Sequence, residues 1–218
     1  FFMGVSDNLQ EEINDRNVNY DAEAYEARKE IKKLPVLKKI ELKDIVYKYP
    51  NTDVLIFNHA DMEIPVGCSV GVVGTSGAGK TTMLRDIVRQ LSYKSYRVSV
   101  VDERSEIAAL CEGRSTFDLG FSTDVLEGVD KAEGMLMVLR SMSPDVIVTD
   151  EIGKQSDIDA IERITNSGAG VIATIHGRNI DMIKRRDDLK RMLKFFDLII
   201  TLSKRKGIGT VEEALTEW

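Results

Sequence analysis

The chain has 218 residues, 43% of them hydrophobic and 30% charged, which is ordinary for a soluble globular protein. Its 30 basic and 36 acidic residues give a net charge of −6 with no dense basic stripe containing aromatics, so nucleic acid is not an expected partner. No apolar run reaches the roughly 18 residues of a membrane span, and the wide spacing of Cys68 and Cys111 favours reduced thiols over a disulfide or a metal site.

The N-terminal part of the chain divides into two regions. Residues 1–35 are polar, charged and rich in strong helix formers, and we interpret them as a helical linker or extension. Residues 36–68 contain three short runs, at 39–49, 54–57 and 60–64, in which β-forming residues predict strands. We expect these strands to form an antiparallel β layer that precedes a larger core over residues 69–218.

A glycine-rich loop opens that core. Residues 74–82 read G-T-S-G-A-G-K-T-T and match the pattern G-x-x-x-x-G-K-[ST] at every fixed position, between a short apolar strand and a predicted helix. In this context the loop N–H groups bind phosphates, the Lys80 ammonium pairs with the outer phosphates, and the Thr81 hydroxyl can ligate Mg²⁺. The pattern predicts ATP and Mg²⁺ as ligands, bound by Gly74, Thr75, Ser76, Gly77, Ala78, Gly79, Lys80, Thr81 and Thr82.

Strands and helices alternate through the rest of the core. We predict strands at 96–101, 145–149 and 171–175, a closing hairpin at 197–213, and helices at 131–142, 156–166 and 180–194. This order predicts an α/β fold of the P-loop NTPase type, with a mainly parallel sheet flanked by helices and ligands at the carboxyl ends of the strands.

Two acidic pairs end predicted strands. In a P-loop site Asp150 would hold Mg²⁺, directly or through a water, and Glu151 would activate the water that attacks the γ-phosphate. Asp102 and Glu103 end the strand after the phosphate-loop helix, so this pair is also expected to face the triphosphate. Glu151 is our first candidate for the base and Glu103 the second, and a salt bridge between either glutamate and Arg104 is the structural alternative.

Other side chains are weaker candidates. His176 follows a predicted strand and could sense the γ-phosphate, with a satisfied core or turn histidine as the alternative. Arg104, Arg140 and Arg178 could each stabilise charge on the transferred phosphoryl group, although most arginines are surface residues. Tyr49 could stack on adenine or pack against the β layer.

The first part of the chain resembles an ABC-transporter ATP-binding domain. The resemblance lies in residues 39–50, 62–67 and 74–82, and in that family the tyrosine at the position of Tyr49 stacks on adenine. Residues 1–33 are similar to the linker that follows the membrane domain of an exporter. The glutamine loop and the L-S-G-G-Q signature of that family are missing, so its signature-dependent sandwich dimer is not implied.

From about Leu84 the chain resembles the ATPase domain of stage III sporulation protein AA, a family akin to the secretion and pilus-retraction ATPases. The resemblance covers about 135 residues and lies in the segments 84–91, 101–108, 123–127, 131–135, 140–144, 150–153 and 175–177. It implies a cytoplasmic, ring-forming motor docked on a membrane complex. Ser122 stands where that family usually has an arginine, which puts one catalytic or inter-subunit arginine in question.

The two resemblances meet inside the phosphate-loop helix, which indicates a fusion at that point. The expected function is Mg²⁺-dependent ATP hydrolysis by a homo-oligomeric motor subunit, located in the cytoplasm and peripheral at the inner face of the membrane. Alternatives are the ATP-binding subunit of an ABC transporter and a nucleotide-binding switch with little turnover.

Overall fold

The computed structural model describes residues 39–48, 55–65 and 68–217. The predicted helical extension at 1–35 and the candidate adenine-stacking residue Tyr49 lie outside these ranges.

The N-terminal described strands form a separate antiparallel pair. Strand β1 (Lys39–Lys48) pairs with β2 (Leu55–Pro65) from Lys39 opposite Pro65 to Lys48 opposite Leu55. The expected antiparallel layer is thus confirmed, but the two strands predicted at 54–57 and 60–64 are one. Register shifts along the pairing, one of them between Ile45 and Tyr47 of β1, let β2 continue through the polar residues at its middle.

A seven-stranded sheet forms the centre of the core. Its strands are β3 (Val70–Gly74), β4 (Val98–Asp102), β7 (Thr123–Glu127), β8 (Val146–Ile152), β9 (Gly170–His176), β10 (Leu198–Ser203) and β11 (Thr210–Leu215). They lie in the order β11-β10-β3-β9-β8-β4-β7. The pairs are parallel except that β11 runs antiparallel to β10, so the predicted mainly parallel sheet is confirmed. A short hairpin of β5 (Leu110–Cys111) and β6 (Arg114–Ser115) lies between β4 and β7 in the chain.

Five described helices accompany the sheet: α1 (Lys80–Tyr93), α2 (Lys131–Ser141), α3 (Gln155–Asn166), α4 (Ile180–Lys184) and α5 (Asp187–Leu193). Side chains alternate along each strand, so the sheet separates two buried cores. Val72 of β3 packs in the core that contains Leu84 of α1, and the next residue, Val73, packs in the core that contains Met135 and Ile158 of α2 and α3. In the part of the chain that the structure describes, no helix is long and apolar enough to cross a membrane.

The single helix predicted at 180–194 is two short helices. Ile183 and Leu189 are both buried, but six residues of continuous helix would turn their side chains about 120° apart. A break at Arg185 and Arg186 lets α4 and α5 each present its apolar residues to the same core.

The topology brings the predicted site residues to the carboxyl ends of the parallel strands. Because β3, β4, β8 and β9 run parallel, their carboxyl ends at Gly74, Asp102, Ile152 and His176 lie on the same side. The phosphate loop follows β3, which sits inside the sheet between β9 and β10. This is the edge at which ligands bind in open α/β sheets.

Candidate functional site

The phosphate loop depends on glycines at defined backbone positions. Gly77 and Gly79 have φ values of +71° and +93°, in the left-handed region that strains other residues. A side chain at Gly74 would lie 3.1 Å from the Leu202 carbonyl oxygen. Helix α1 starts directly after Gly79, so the loop N–H groups and the helix N-terminus share one concave surface, the geometry that binds phosphates.

Lys80 is held inside this loop. Its ammonium donates hydrogen bonds to the carbonyl oxygens of Gly74 at 2.8 Å and Thr75 at 3.1 Å. Burial lowers the pKa of Lys80 below its usual value, partly opposed by the nearby carboxylates of Glu151 and Glu106. The ammonium is therefore preplaced at the loop and can exchange its carbonyl partners for phosphate oxygens.

A cavity of about 310 Å³ lies against the loop, within the size range of small-molecule sites. It is lined by Ser76, Gly77, Gly79, Lys80, Thr81, Thr82, Glu106, Asp150, Glu151, Thr174 and Ile208. The structure thus brings most of the predicted loop residues together with Asp150 and Glu151. Sequence reasoning missed Glu106, Thr174 and Ile208.

The turn between β10 and β11 lies against the phosphate loop. The Gly209 N–H donates to the Ala78 carbonyl oxygen at 3.0 Å, and Ile208 lines the cavity. The Lys204 ammonium lies 2.7 Å from the position that a side-chain carbon at Gly77 would take. The predicted closing hairpin therefore contributes an apolar side chain and a second lysine beside the loop.

Asp150 is a buried carboxylate without hydrogen-bond partners. Its side chain is 4% exposed, and neither oxygen has a hydrogen-bond partner among the described residues. Burial raises the pKa of Asp150 above its usual value, and the Lys131 ammonium opposes that rise. Carboxylate and hydroxyl oxygens that open on a phosphate-binding cavity, here Asp150 and Thr81, fit Mg²⁺, which is bound through one or two carboxylates plus phosphates.

That donor set differs from an all-protein metal cage. Within the described ranges no group of three or more His, Cys, Asp or Glu residues could hold a metal ion. An Mg²⁺ site that takes its remaining ligands from nucleotide and water needs no such group.

Glu151 sits on a bulge that aims its side chain at the cavity. The pairing of β8 with β9 shifts register between Thr149 and Ile152, and Glu151 has a φ of +40°. Its backbone N–H donates to the Thr174 hydroxyl at 2.7 Å. A left-handed conformation costs a residue other than glycine about 1–2 kcal/mol, a strain typical of functional positions.

The salt-bridge alternative raised for Arg104 is present in the structure. The Arg104 guanidinium lies 3.0 Å from the Glu151 carboxylate, and both side chains are substantially exposed. Glu151 is thus paired with Arg104 in this structure, through a contact that solvent screens.

Contrary to the expectation for this acidic pair, Asp102 does not line the cavity beside the phosphate loop. Its buried carboxylate accepts hydrogen bonds from the backbone N–H groups of Glu106, Ile107 and Ala108 at 2.8, 2.9 and 2.8 Å. Because these bonds use both oxygens, Asp102 fixes the turn after β4. Within that turn, Glu106 lines the cavity, and Glu103 points towards a lysine on α2.

That lysine, Lys131, is a site residue that sequence reasoning missed. Its ammonium lies 3.3 Å from Asp150 and 3.6 Å from Glu103, and it donates a hydrogen bond to the Glu151 carbonyl oxygen at 3.2 Å. A signal was available, because Lys131 is the first residue of α2, directly after the N-cap Asp130. A cation is unfavourable at the positive end of a helix dipole, so a buried lysine there indicates nearby carboxylates.

The weaker candidates that lie within the described residues are all exposed. His176 ends β9 with its backbone opposite Gly74, and its exposure rules out the core-histidine alternative. Arg140 and Arg178 are exposed at the end of α2 and after β9. Ser122 precedes β7, so it lies near the amino ends of the parallel strands, whereas this chain's own phosphate loop lies at their carboxyl ends.

Comparisons with known proteins identify the family and the fold of the chain. The family model described as "Sporulation stage III, protein AA" matches residues 53–217. Stage III sporulation protein AA of Bacillus subtilis is 40% identical over 149 residues, which are 65% of this chain and 48% of that protein. The chain therefore spans about half the length of this curated relative.

Two solved structures share the fold. The VirB11 ATPase of the Brucella suis type IV secretion system aligns with a TM-score of 0.53 at 16% identity, over 69% of this chain and 48% of that one. A nucleotide-free ATP-binding cassette from an ABC transporter aligns with a TM-score of 0.53 at 11% identity, over 83% of this chain and 92% of that one. At such identities the likeness shows the fold alone, which is that of the P-loop ATPases.

The family match also bears on the fusion suggested by the two resemblances. It begins at residue 53, upstream of the phosphate loop, and includes the helix in which the two resemblances meet. The match therefore includes residues on both sides of that helix. The chain belongs to the sporulation stage III protein AA family.

Proposed function

We propose that this chain is an Mg²⁺-dependent ATPase that acts as the motor subunit of a membrane-associated assembly of the sporulation or secretion type. One observation carries the proposal: the phosphate loop with Lys80, the buried carboxylate of Asp150 and the bulged Glu151 all line one cavity. Family membership and the P-loop ATPase fold support the motor assignment.

Binding uses the loop and the two elements beside it. Lys80 and the loop N–H groups bind the phosphates, and Thr81 and Asp150 hold Mg²⁺, which when bound neutralises phosphate charge and orients the γ-phosphate. Ile208 supplies an apolar wall on the β10–β11 side of the cavity. The nucleotide is thus bound between the phosphate loop and the turn that closes the sheet.

Hydrolysis uses the carboxylate on the bulge. Glu151 accepts a proton from the attacking water once its pairing with Arg104 loosens. Glu103 is the second candidate for this role, although its carboxylate lies beside Lys131 rather than on the cavity lining. His176, at the end of β9, senses the γ-phosphate.

The exposed arginines support assembly of several copies. Arg104, Arg140 and Arg178 are exposed, so each can reach the site of a neighbouring subunit and stabilise charge there, as arginine fingers do. We infer a homo-oligomer that binds a membrane-protein complex from the cytoplasmic side, at the inner face of the membrane, without nucleic acid.

The contact between Glu151 and Arg104 also favours a second candidate function. A base held by a guanidinium at 3.0 Å is typical of a resting site, as in a nucleotide-binding switch with little turnover. The third alternative, an ABC-transporter subunit, is weakened by the family match and the missing signature.

Phosphate release from ATP and Mg²⁺, measured over a series of protein concentrations, tests the proposal. A motor that assembles gives release that rises more than linearly with protein, and Glu151→Gln lowers the rate roughly 100-fold or more, as loss of a general base does. Glu103→Gln tests the second base, and Glu133→Gln is the matched control, an exposed glutamate on α2 outside the cavity lining.

One result would refute the motor, and another would reassign the base. Equal affinity for ATP and ADP with no phosphate release would refute the motor and favour the nucleotide-binding switch. Full activity in Glu151→Gln with loss of activity in Glu103→Gln would keep the ATPase but move the base to Glu103.

A further inference from the structure

We propose that Lys131 acts as a resident cation, a built-in positive charge beside the carboxylates at which Mg²⁺ would bind. In the nucleotide-free protein its ammonium neutralises the carboxylates of Asp150 and Glu103, so that Mg²⁺ binds together with nucleotide and not before it. The inference rests on the proposed function in one respect, the assignment of Asp150 as the carboxylate on the metal side.

The Lys131 ammonium has two carboxylates and one carbonyl oxygen around it. Its nitrogen lies 3.3 Å from one oxygen of Asp150 and 3.6 Å from one oxygen of Glu103, and it donates a hydrogen bond to the Glu151 carbonyl oxygen at 3.2 Å. The side chain is only 6% exposed. An ammonium has three donors, and each of the three points of contact belongs to the same acidic edge of the sheet.

The position of Lys131 in its helix shows that the carboxylates hold it there. As the first residue of α2 it lies at the positive end of the helix dipole, where a cation is disfavoured. The N-cap Asp130 already accepts the N–H groups of Ala132 and Glu133, so it serves the helix end. Burial of an ammonium at a helix N-terminus is unfavourable unless negative charges lie close to it, and Asp150 and Glu103 supply those charges.

Removal of the lysine would leave a site for a divalent cation. Asp150 and Glu103 both lie within 3.6 Å of one nitrogen, and one or two carboxylates are the usual protein share of an Mg²⁺ site. Lys154 also lies near, 4.0 Å from Glu103 and 3.5 Å from Asp130, but its side chain is 64% exposed, so solvent screens it. Lys131 is therefore the charge that keeps a metal ion from binding alone.

Nucleotide changes this balance. The phosphates supply both ligands and negative charge on the cavity side of Asp150, which then binds the metal although Lys131 stays close. Ordered binding follows, in which the metal enters with the nucleotide and leaves with it. A purely structural ion pair, by contrast, predicts loss of stability without any change in metal binding.

The test measures Mn²⁺ binding to the nucleotide-free full chain by electron paramagnetic resonance, and Mg²⁺ binding by the shift in melting temperature. Wild type is expected to bind neither ion below millimolar concentration. Lys131→Met is expected to bind Mn²⁺ tenfold more tightly or better, a change of about 1.4 kcal/mol, because a buried positive charge is removed beside the ion. Lys131→Met combined with Asp150→Asn should lose that binding.

The control is Lys154→Met, which removes an exposed lysine from the same cluster and is expected to change Mn²⁺ affinity less than about twofold. If Lys131→Met does not fold without metal, Lys131→Gln keeps a donor of similar length, and recovery of the fold by millimolar Mg²⁺ counts as binding. Tight Mn²⁺ binding by wild type without nucleotide, or unchanged affinity in both Lys131 variants, would overturn the proposal.

These outcomes are independent of catalysis. If the Lys131 variants bind metal as wild type does while ATP is hydrolysed, the proposed role of Lys131 is refuted and the ATPase proposal stands. It can also change as expected in a chain that releases no phosphate, which would remove the ATPase and leave the resident cation.

Discussion

Removal of the Asp102 carboxylate would show how much of the site depends on one buried group. The side chain is fully buried and accepts three backbone N–H bonds, two of them from Ile107 and Ala108, which are themselves fully buried. Asp102→Ala leaves these two donors without an acceptor. At roughly 1–3 kcal/mol for each buried unsatisfied donor, the free energy of unfolding should fall by about 2–6 kcal/mol.

A graded series makes this magnitude testable. Asp102→Asn keeps one oxygen for Ile107 and Ala108 but turns an amide donor towards the Glu106 N–H, so its loss should be smaller, about 1–3 kcal/mol. Urea unfolding with an unchanged m-value measures both losses. Asp124→Asn, an exposed carboxylate on the neighbouring strand β7, is the control and should stay within about 0.5 kcal/mol of wild type. A loss below about 1 kcal/mol in Asp102→Ala would refute the reasoning.

Four further substitutions test backbone and packing constraints. Gly77→Ala and Gly113→Ala both strain a residue with φ above +70°, so each should cost about 1 kcal/mol, but only Gly77→Ala should weaken ATP binding in a fluorescence titration. Thr174→Val removes the acceptor of the Glu151 N–H and should cost about 1–3 kcal/mol in urea unfolding; a loss under about 0.5 kcal/mol would show that water replaces the hydroxyl. Gly134→Ala places a carbon 2.7 Å from a buried valine of β4, so it should lower the melting temperature despite the better helix propensity of alanine, and a rise would contradict that packing.

The sequence predicted the elements that carry strong local patterns. The glycine spacing of the phosphate loop and the apolar strands before Asp102 and Asp150 are local sequence signals. Backbone conformation sets the glycine spacing, and burial on both faces of a parallel sheet sets the apolar runs. Strand β7, one of the two edge strands of the sheet, was missed because its mixed exposure gives no continuous apolar run.

The parts of the site that could not be predicted depend on contacts between distant segments. Lys131 meets its carboxylates only because α2 begins beside the ends of β4 and β8, and Ile208 reaches the cavity only because the last hairpin packs against the loop. The role of Asp102 also needed the structure, since an acidic strand end can face either a ligand or the backbone of its own turn. Tyr49 and the extension at 1–35 stay predictions.

The place of β3 inside the sheet has a consequence for biosynthesis. At the start of β3, the Ser69 N–H donates to the Asp197 carboxylate, 128 residues later, and the Ser69 hydroxyl accepts from Val171, 102 residues later. At a translation rate of roughly 5–20 residues per second, the strand before the phosphate loop waits about 6–26 s for its last neighbour to be synthesised. Nascent chains that end before β10 should therefore fail to retain ATP, and the unpaired apolar strand should make them ligands for chaperones during that interval.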